Sequence, residues 1–229
     1  MGLINPNLST LEATARALEP LLGDIVFVGG TIAGLLINDP GASSARATRD
    51  VDVIAQIAGT NGYLWATKAM GEIGFQPDTS EGAPICRWVK EGLLVDFMGT
   101  GDTPLGTTNP WYAEGFRTKR QVTLSDSGLK IFILPAPVFL LTKWAAYLDR
   151  GKGSMAASHD IEDILNILDG RLDLGREAGT SSDEVQSALA EMAHQMFASQ
   201  QFCDHCLQSL GDRQEVVREV LESFAKLRS

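Results

Sequence analysis

Long apolar runs are missing from this chain. None approaches the roughly 20 residues that a membrane span needs, although hydrophobic residues make up 44% of the 229, enough to bury a real core. Cysteine is scarce as well. Cys86, Cys203 and Cys206 are the only three, too few for a disulfide framework and suited to a reduced compartment. The opening segment carries no basic cluster and no long apolar stretch, so no secretory signal is expected. A cytoplasmic location with no membrane partner follows as the expectation. Positive charge is the remaining shortage, with 19 basic against 29 acidic side chains. Only residues 114–152 reverse that balance, with 7 basic against 3 acidic. Such a chain is not a general nucleic-acid binder, but the basic island is either a solvated face or a place for one phosphate-bearing ligand.

The spacing of apolar residues predicts two halves. In the first, Leu8 to Leu22 reads as a helix, with Ser9 and Glu12 as a capping box. Asp24 to Val28 is a buried strand, and Gly29-Gly30-Thr31 turns it into a helix from Ile32 to Ile37. A loop from Asn38 to Ala47 follows. Asp50 to Ile54 alternates acid and apolar residues, the pattern of a strand with Val51 and Val53 on one face. Asn61 to Ile73 reads as a helix. Two strands, Arg87 to Val89 and Leu93 to Met98, form a hairpin turning at Glu91-Gly92, and after a loop from Pro104 to Pro110 comes a strand from Leu129 to Leu134. Beyond the prolines at 135 and 137 the pattern is helical, over 138–148, 161–168, 183–210 and 213–227. Domains of residues 1–136 and 137–229 are therefore expected, a mixed α/β part followed by helices.

The chemistry concentrates on three acids. Asp50 and Asp52 lie two apart on one strand, which puts both carboxylates on one face. Bare carboxylates so close repel unless one is protonated or a cation lies between them. Mg²⁺ suits such oxygens, because it shares its shell with substrate phosphates. Asp96 sits within the apolar run Leu93-Leu-Val-Asp-Phe-Met98, where an acid without a partner is costly. Asp102, six residues on, is a rival third acid. Upstream, the glycines at 29 and 30 let backbone N–H groups approach a phosphate, or simply serve the turn.

Gly29-Gly30-Thr31, then Asp50-x-Asp52, then Asp96 resembles the polymerase-β-type nucleotidyltransferase superfamily. The form Arg46-x-Thr48-x-Asp50-x-Asp52 looks like its AbiEii/MenT-like members. So does the second half, where Lys143 follows Leu134-Pro-Ala-Pro137, then Arg150, then His159-Asp160-Ile-Glu-Asp163. The resemblance spans roughly residues 24–168 and implies an α+β fold, a nucleotidyltransferase-type mixed sheet with flanking helices and a helical C-terminal half. By carry-over Asp50, Asp52 and Asp96 would hold one or two Mg²⁺ ions, with Asp96 completing the site or taking the acceptor's proton. Lys143 would contact phosphate, and Asp160 and Asp163 would orient it or the nucleoside. Gly29, Gly30, Thr31, Arg46 and Thr48 would complete the nucleotide pocket. The implied reaction moves a nucleotide from an NTP onto a hydroxyl of tRNA or protein, as toxin-like members do, with an antitoxin as partner. A small-molecule acceptor of the aminoglycoside type, and a member that binds nucleotide without transfer, remain open. The longer gap from Gly30 to Asp50, with Asp39 to Ser44 resembling an insertion, departs from the pattern.

Three other features read as structural. His159-Asp160 lacks the earlier histidine that an HD-type phosphohydrolase needs, because His159 is the first in the chain. Cys203-Asp-His-Cys206 lies on a helical stretch and does not present four closed zinc ligands. Trp111 and Tyr112 read as loop packing before a stacking surface.

Overall fold

The computed structural model describes residues 5–102, 109–150 and 153–227. Most of the expected 104–110 loop, and Lys152, lie outside the described residues. The chain divides into two compact units. One holds residues 5–34 and 47–135, and the other holds residues 35–46 together with the chain from 136 onward. Residues 35–46 group with the helices that follow 136. No described helix is long and apolar enough to cross a membrane.

The first unit is built on a seven-stranded mixed sheet. Its strands are β1 (Ile25–Val28), β2 (Asp50–Ala55), β3 (Gln76–Pro77), β4 (Arg87–Lys90), β5 (Leu93–Gly99), β6 (Arg120–Thr123) and β7 (Lys130–Ile133). Their order across the sheet is β3-β4-β5-β2-β1-β7-β6. β2 lies at the centre, antiparallel to β1 and parallel to β5. Val51 and Val53 are wholly buried while Asp50 and Asp52 keep partial exposure, as the alternation required. The β4–β5 hairpin turns on Glu91 and Gly92, with φ of 50° and 84°. Positive φ at both positions is the two-residue turn whose twist matches the strands it joins. It fixes the register that sets Arg87 opposite Asp96.

Helices α1 (Leu8–Ala17), α3 (Gly59–Glu72) and α4 (Tyr112–Arg117) complete this unit, and α1 packs on β2 and β5. Pro20 ends α1 early, in a short 3₁₀ turn over Glu19–Leu21. The expected capping box does not form. Asn7 occupies the cap position, and the buried Glu12 carboxylate instead accepts from Asp126 N at 3.0 Å and Ser127 N at 3.3 Å. Two long-range donors in a buried place outweigh one local donor near solvent. The helix expected from Ile32 is only one turn, α2 (Ala33–Leu36), entered through a 3₁₀ turn over Gly30–Ile32.

The second unit is helical: α5 (Ala136–Asp149), α6 (His159–Gly170), α7 (Leu174–Gly179), α8 (Asp183–Ala198) and α9 (Gln214–Ala225). Phe139, Trp144, Ile164, Leu189, Met192, Phe202, Leu221 and Phe224 fill its core. The stretch expected as one helix from 183 to 210 is broken. After α8 a π-helical turn spans Phe202–Leu207 and a 3₁₀ segment spans Gln208–Arg213. Residues 35–46 pack here because Asn38 N and Asp39 N both donate to Gly170 O, at 2.9 and 3.0 Å. Arg213 joins Asp39 and Asp169, each at 2.6 Å.

Candidate functional site

Two charge clusters hold the residues singled out above, one in each unit. In the sheet unit the β2–β5 pairing puts Asp52 and Asp96 directly side by side. Asp50 lies two residues before Asp52 on the same face. Asp102 lies past the end of β5, where its carbonyl accepts from Gly59 N at 2.7 Å.

The three aspartates are not bare. Arg87, on the neighbouring β4, donates from Nε to Asp96 Oδ1 at 2.7 Å and from Nη2 to Asp96 Oδ2 at 2.9 Å. The same Nη2 lies 2.6 Å from Asp50 Oδ2. The other Asp50 oxygen, Oδ1, accepts from the Thr48 hydroxyl at 3.0 Å. Thr48 is in turn held by its N–H, 2.9 Å from Asn7 Oδ1. The guanidinium is held charged chiefly by its hydrogen bond to Asp96. Among the described residues no three His, Cys, Asp or Glu side chains converge as a ready metal-holding group. A cation of the chain itself thus lies between Asp50 and Asp96.

Asp52 leans on the β1 turn. Gly29 has φ of 69° and ψ of −170°, a conformation open almost only to glycine. A Cβ there would stand 1.8 Å from Asp52 Oδ2, so the absent side chain is the room the carboxylate occupies. Thr31 is fully buried, and its hydroxyl donates back to Val28 O at 3.5 Å, which serves the turn. The field of these acids reaches Cys86. Burial first, and then Asp96 and Asp52, push its thiol up to about 11, so it stays protonated and inert at neutral pH. The donor set, hard carboxylate oxygens, is the kind that a divalent cation such as Mg²⁺ takes.

In the helical unit, the α5 residue Lys143 sits 2.7 Å from Asp163 Oδ2 and 3.5 Å from Asp160 Oδ1. Both aspartates are buried on α6, one turn apart on one face. Asp163 meets Lys143 as an ion pair and lacks a well-directed hydrogen bond. Arg150 hydrogen-bonds Asp160. Arg46 approaches Asp163 at 3.7 Å and the half-exposed Glu162 at 3.8 Å. The Arg46-x-Thr48-x-Asp50 motif is therefore shared out, Arg46 to the helical unit and Thr48 to the sheet unit.

Arg87 is the residue that sequence reading missed. Its signal was present: a two-residue turn at Glu91-Gly92, counted back equally along both strands, pairs Arg87 with Asp96. Two members of the basic island make local contacts. Arg117 binds Glu114 through two nitrogens, and Lys119 lies over the Phe116 and Phe132 rings at 3.9 and 4.5 Å. Trp111 caps α4, and the Tyr112 hydroxyl rests 3.6 Å from Met98 Sδ, in keeping with packing. Cys203 and Cys206 are free, on the π-helical turn.

The class defined by this architecture is α+β, a mixed sheet with flanking helices and a helical unit. No family model matches the chain, and no curated protein matches it. Among solved structures it is similar to an antigenic nucleotidyltransferase-like protein from Paracoccidioides brasiliensis, with 18% identity over 93% of this chain and 92% of that one and a TM-score of 0.49.

Proposed function

We propose that this chain is a Mg²⁺-dependent nucleotidyltransferase that moves a nucleotide from an NTP onto an acceptor hydroxyl. The observation that carries the reading is the placing of Asp50, Asp52 and Asp96 on the adjacent strands β2 and β5, with Asp52 beside Asp96 and set against the Gly29 turn. Asp50 and Asp52 would hold the metal. The chemistry a bound Mg²⁺ supplies there is neutralisation of the triphosphate as charge builds on the leaving oxygen. Thr48 and Arg87 aim the Asp50 carboxylate. Lys143, held ready by Asp160 and Asp163, would meet phosphate as a point charge. In the reaction the acceptor oxygen bonds to the α-phosphorus, the bond to the β-phosphate oxygen breaks, and pyrophosphate leaves. The acceptor's proton passes to a carboxylate or to water. Both oxygens of Asp96 are engaged by Arg87, which favours Asp96 as an anchor over a proton acceptor.

The AbiEii/MenT-like motifs point to a toxin-like enzyme acting on tRNA or a protein, with an antitoxin as partner. The Arg87 bridge favours one second reading, a member that binds nucleotide without transferring it. Incubation with each labelled NTP, Mg²⁺ and total cellular RNA or lysate tests both. Label on a macromolecule supports transfer. NTP-dependent thermal stabilisation without label transfer selects the binding-only reading, and neither response sinks both.

A further inference from the structure

We infer that Arg87 is the built-in second cation of the aspartate cluster, so that this site takes a single divalent ion and Asp96 serves as counter-ion to the guanidinium instead of as a metal ligand. The inference rests on the nucleotidyltransferase reading and deepens it.

Four observations carry it. First, the Arg87–Asp96 contact is bidentate, at 2.7 and 2.9 Å, the geometry in which arginine holds a carboxylate most firmly. Second, the pair is built into the fold. The β4–β5 register sets the two residues directly opposite, and both side chains are largely withdrawn from water, at 18% and 11% exposure. Third, Arg87 extends to Asp50 as well, so one planar group spans two carboxylates, as a bridging cation would. Fourth, the carboxylates left for a metal suit one ion. Mg²⁺ ordinarily uses one or two protein carboxylates plus substrate phosphate, and Asp50 with Asp52 supplies them. A second ion would have to displace a buried guanidinium and leave it without a partner, at a high cost. Arg87 is thus a positioning residue. It keeps the cluster compact and occupies the place a second ion would need.

The test reads metal stoichiometry, which a merely structural arginine would not set. Mn²⁺ stands in for Mg²⁺ and is titrated against the full chain, with free ion followed by electron paramagnetic resonance. The wild type is expected to bind one Mn²⁺ at the cluster. Arg87→Gln exposes Asp96 and removes the internal cation, and should bind two, or bind the first at least about tenfold more tightly. The double variant Arg87→Gln/Asp96→Asn removes both charges of the pair and should return to one ion, within about threefold of the wild-type affinity. It also serves if the single variant fails to fold, because a pair removed together leaves no buried charge unmatched. A wild type that binds two ions or none overturns the inference. So does an Arg87→Gln variant that still binds one ion with unchanged affinity, or a double variant that loses metal. The nucleotide-transfer assay is separate. Metal counts as expected with no transfer to any acceptor would sink the enzymatic reading and leave the Arg87 assignment standing. Transfer with an unresponsive metal count would do the reverse.

Discussion

On the sheet, Asp50 and Asp96 share one guanidinium, with Asp52 beside Asp96 on the neighbouring strand. In the helical unit Lys143, Arg46 and Arg150 face Asp160, Asp163 and the half-exposed Glu162. The second cluster is balanced and partly sealed, with Asp163 wholly buried and the Lys143 side chain at 12% exposure. The first is open to water at Asp50, whose side chain is 38% exposed. A balanced buried cluster is complete without a ligand, and breaking it shows in stability. An open one can take a cation, and breaking it shows in binding.

The largest effect is expected where burial is deepest. Asp163→Ala leaves Lys143 and Arg46 short of a counter-charge in a closed place, and removing one partner of such a pair costs about 3–5 kcal/mol. Urea unfolding would measure it. A loss below about 1 kcal/mol would mean that Asp160 and water compensate, and the helical cluster would then resemble the open one.

Lys143→Ala comes next and tests whether the helical cluster serves transfer as well as stability. On the proposed function it removes about 2–4 kcal/mol of transition-state stabilisation, as the loss of one preorganised electrostatic donor does. Lys152→Ala, in the Gly151-Lys-Gly153 stretch, is the control and should cost little. Transfer rates at saturating NTP are compared. Equal mild losses would withdraw Lys143 from catalysis.

Gly29→Ala moves to the sheet cluster. The glycine-only backbone and the clash with Asp52 Oδ2 together should cost about 1–3 kcal/mol of stability. Mn²⁺ binding should fall in parallel, because Asp52 must swing away from its place beside the turn. A fully stable variant with normal metal binding would show that the turn does not set the Asp52 position.

The two clusters were unequally legible from sequence. Alternation placed Asp50 and Asp52 on one face, and an acid inside an apolar strand marked Asp96, because both signals are local. Arg87 went unread although the hairpin turn determines its partner, since arginine in a strand draws no attention until the strands are paired. Asp39 to Ser44 looked like an insertion, within a loop from Asn38 to Ala47. Their contacts with Gly170 and Arg213 lie more than a hundred residues away, and no local pattern encodes them. The failed Ser9–Glu12 capping box has the same cause, a local motif overridden by a distant pair of backbone donors. The short elements α4, α7 and β6 carry too few residues for periodicity to register.

Asp50→Asn should have the smallest effect on stability and divides the two kinds of cluster most finely. If the aspartates merely repelled one another, neutralising one would stabilise the fold. Arg87 reverses that expectation. Its Nη2 lies 2.6 Å from Asp50 Oδ2, so asparagine gives up an attraction where relief of repulsion would otherwise be gained. The side chain is more than a third exposed, so the loss is that of a solvated pair, no more than about 1 kcal/mol. The Thr48 hydrogen bond survives the change, since an amide oxygen also accepts. Ligand binding should respond much more than stability, because the amide brings no charge to a divalent ion. Thermal unfolding of both proteins, with and without Mg²⁺ and NTP, separates the two quantities. The expected result is a slightly lower midpoint without ligand and no upward shift with it. A higher ligand-free midpoint would show that repulsion outweighs the Arg87 contact. An upward shift equal to that of the wild type would remove Asp50 from the metal site.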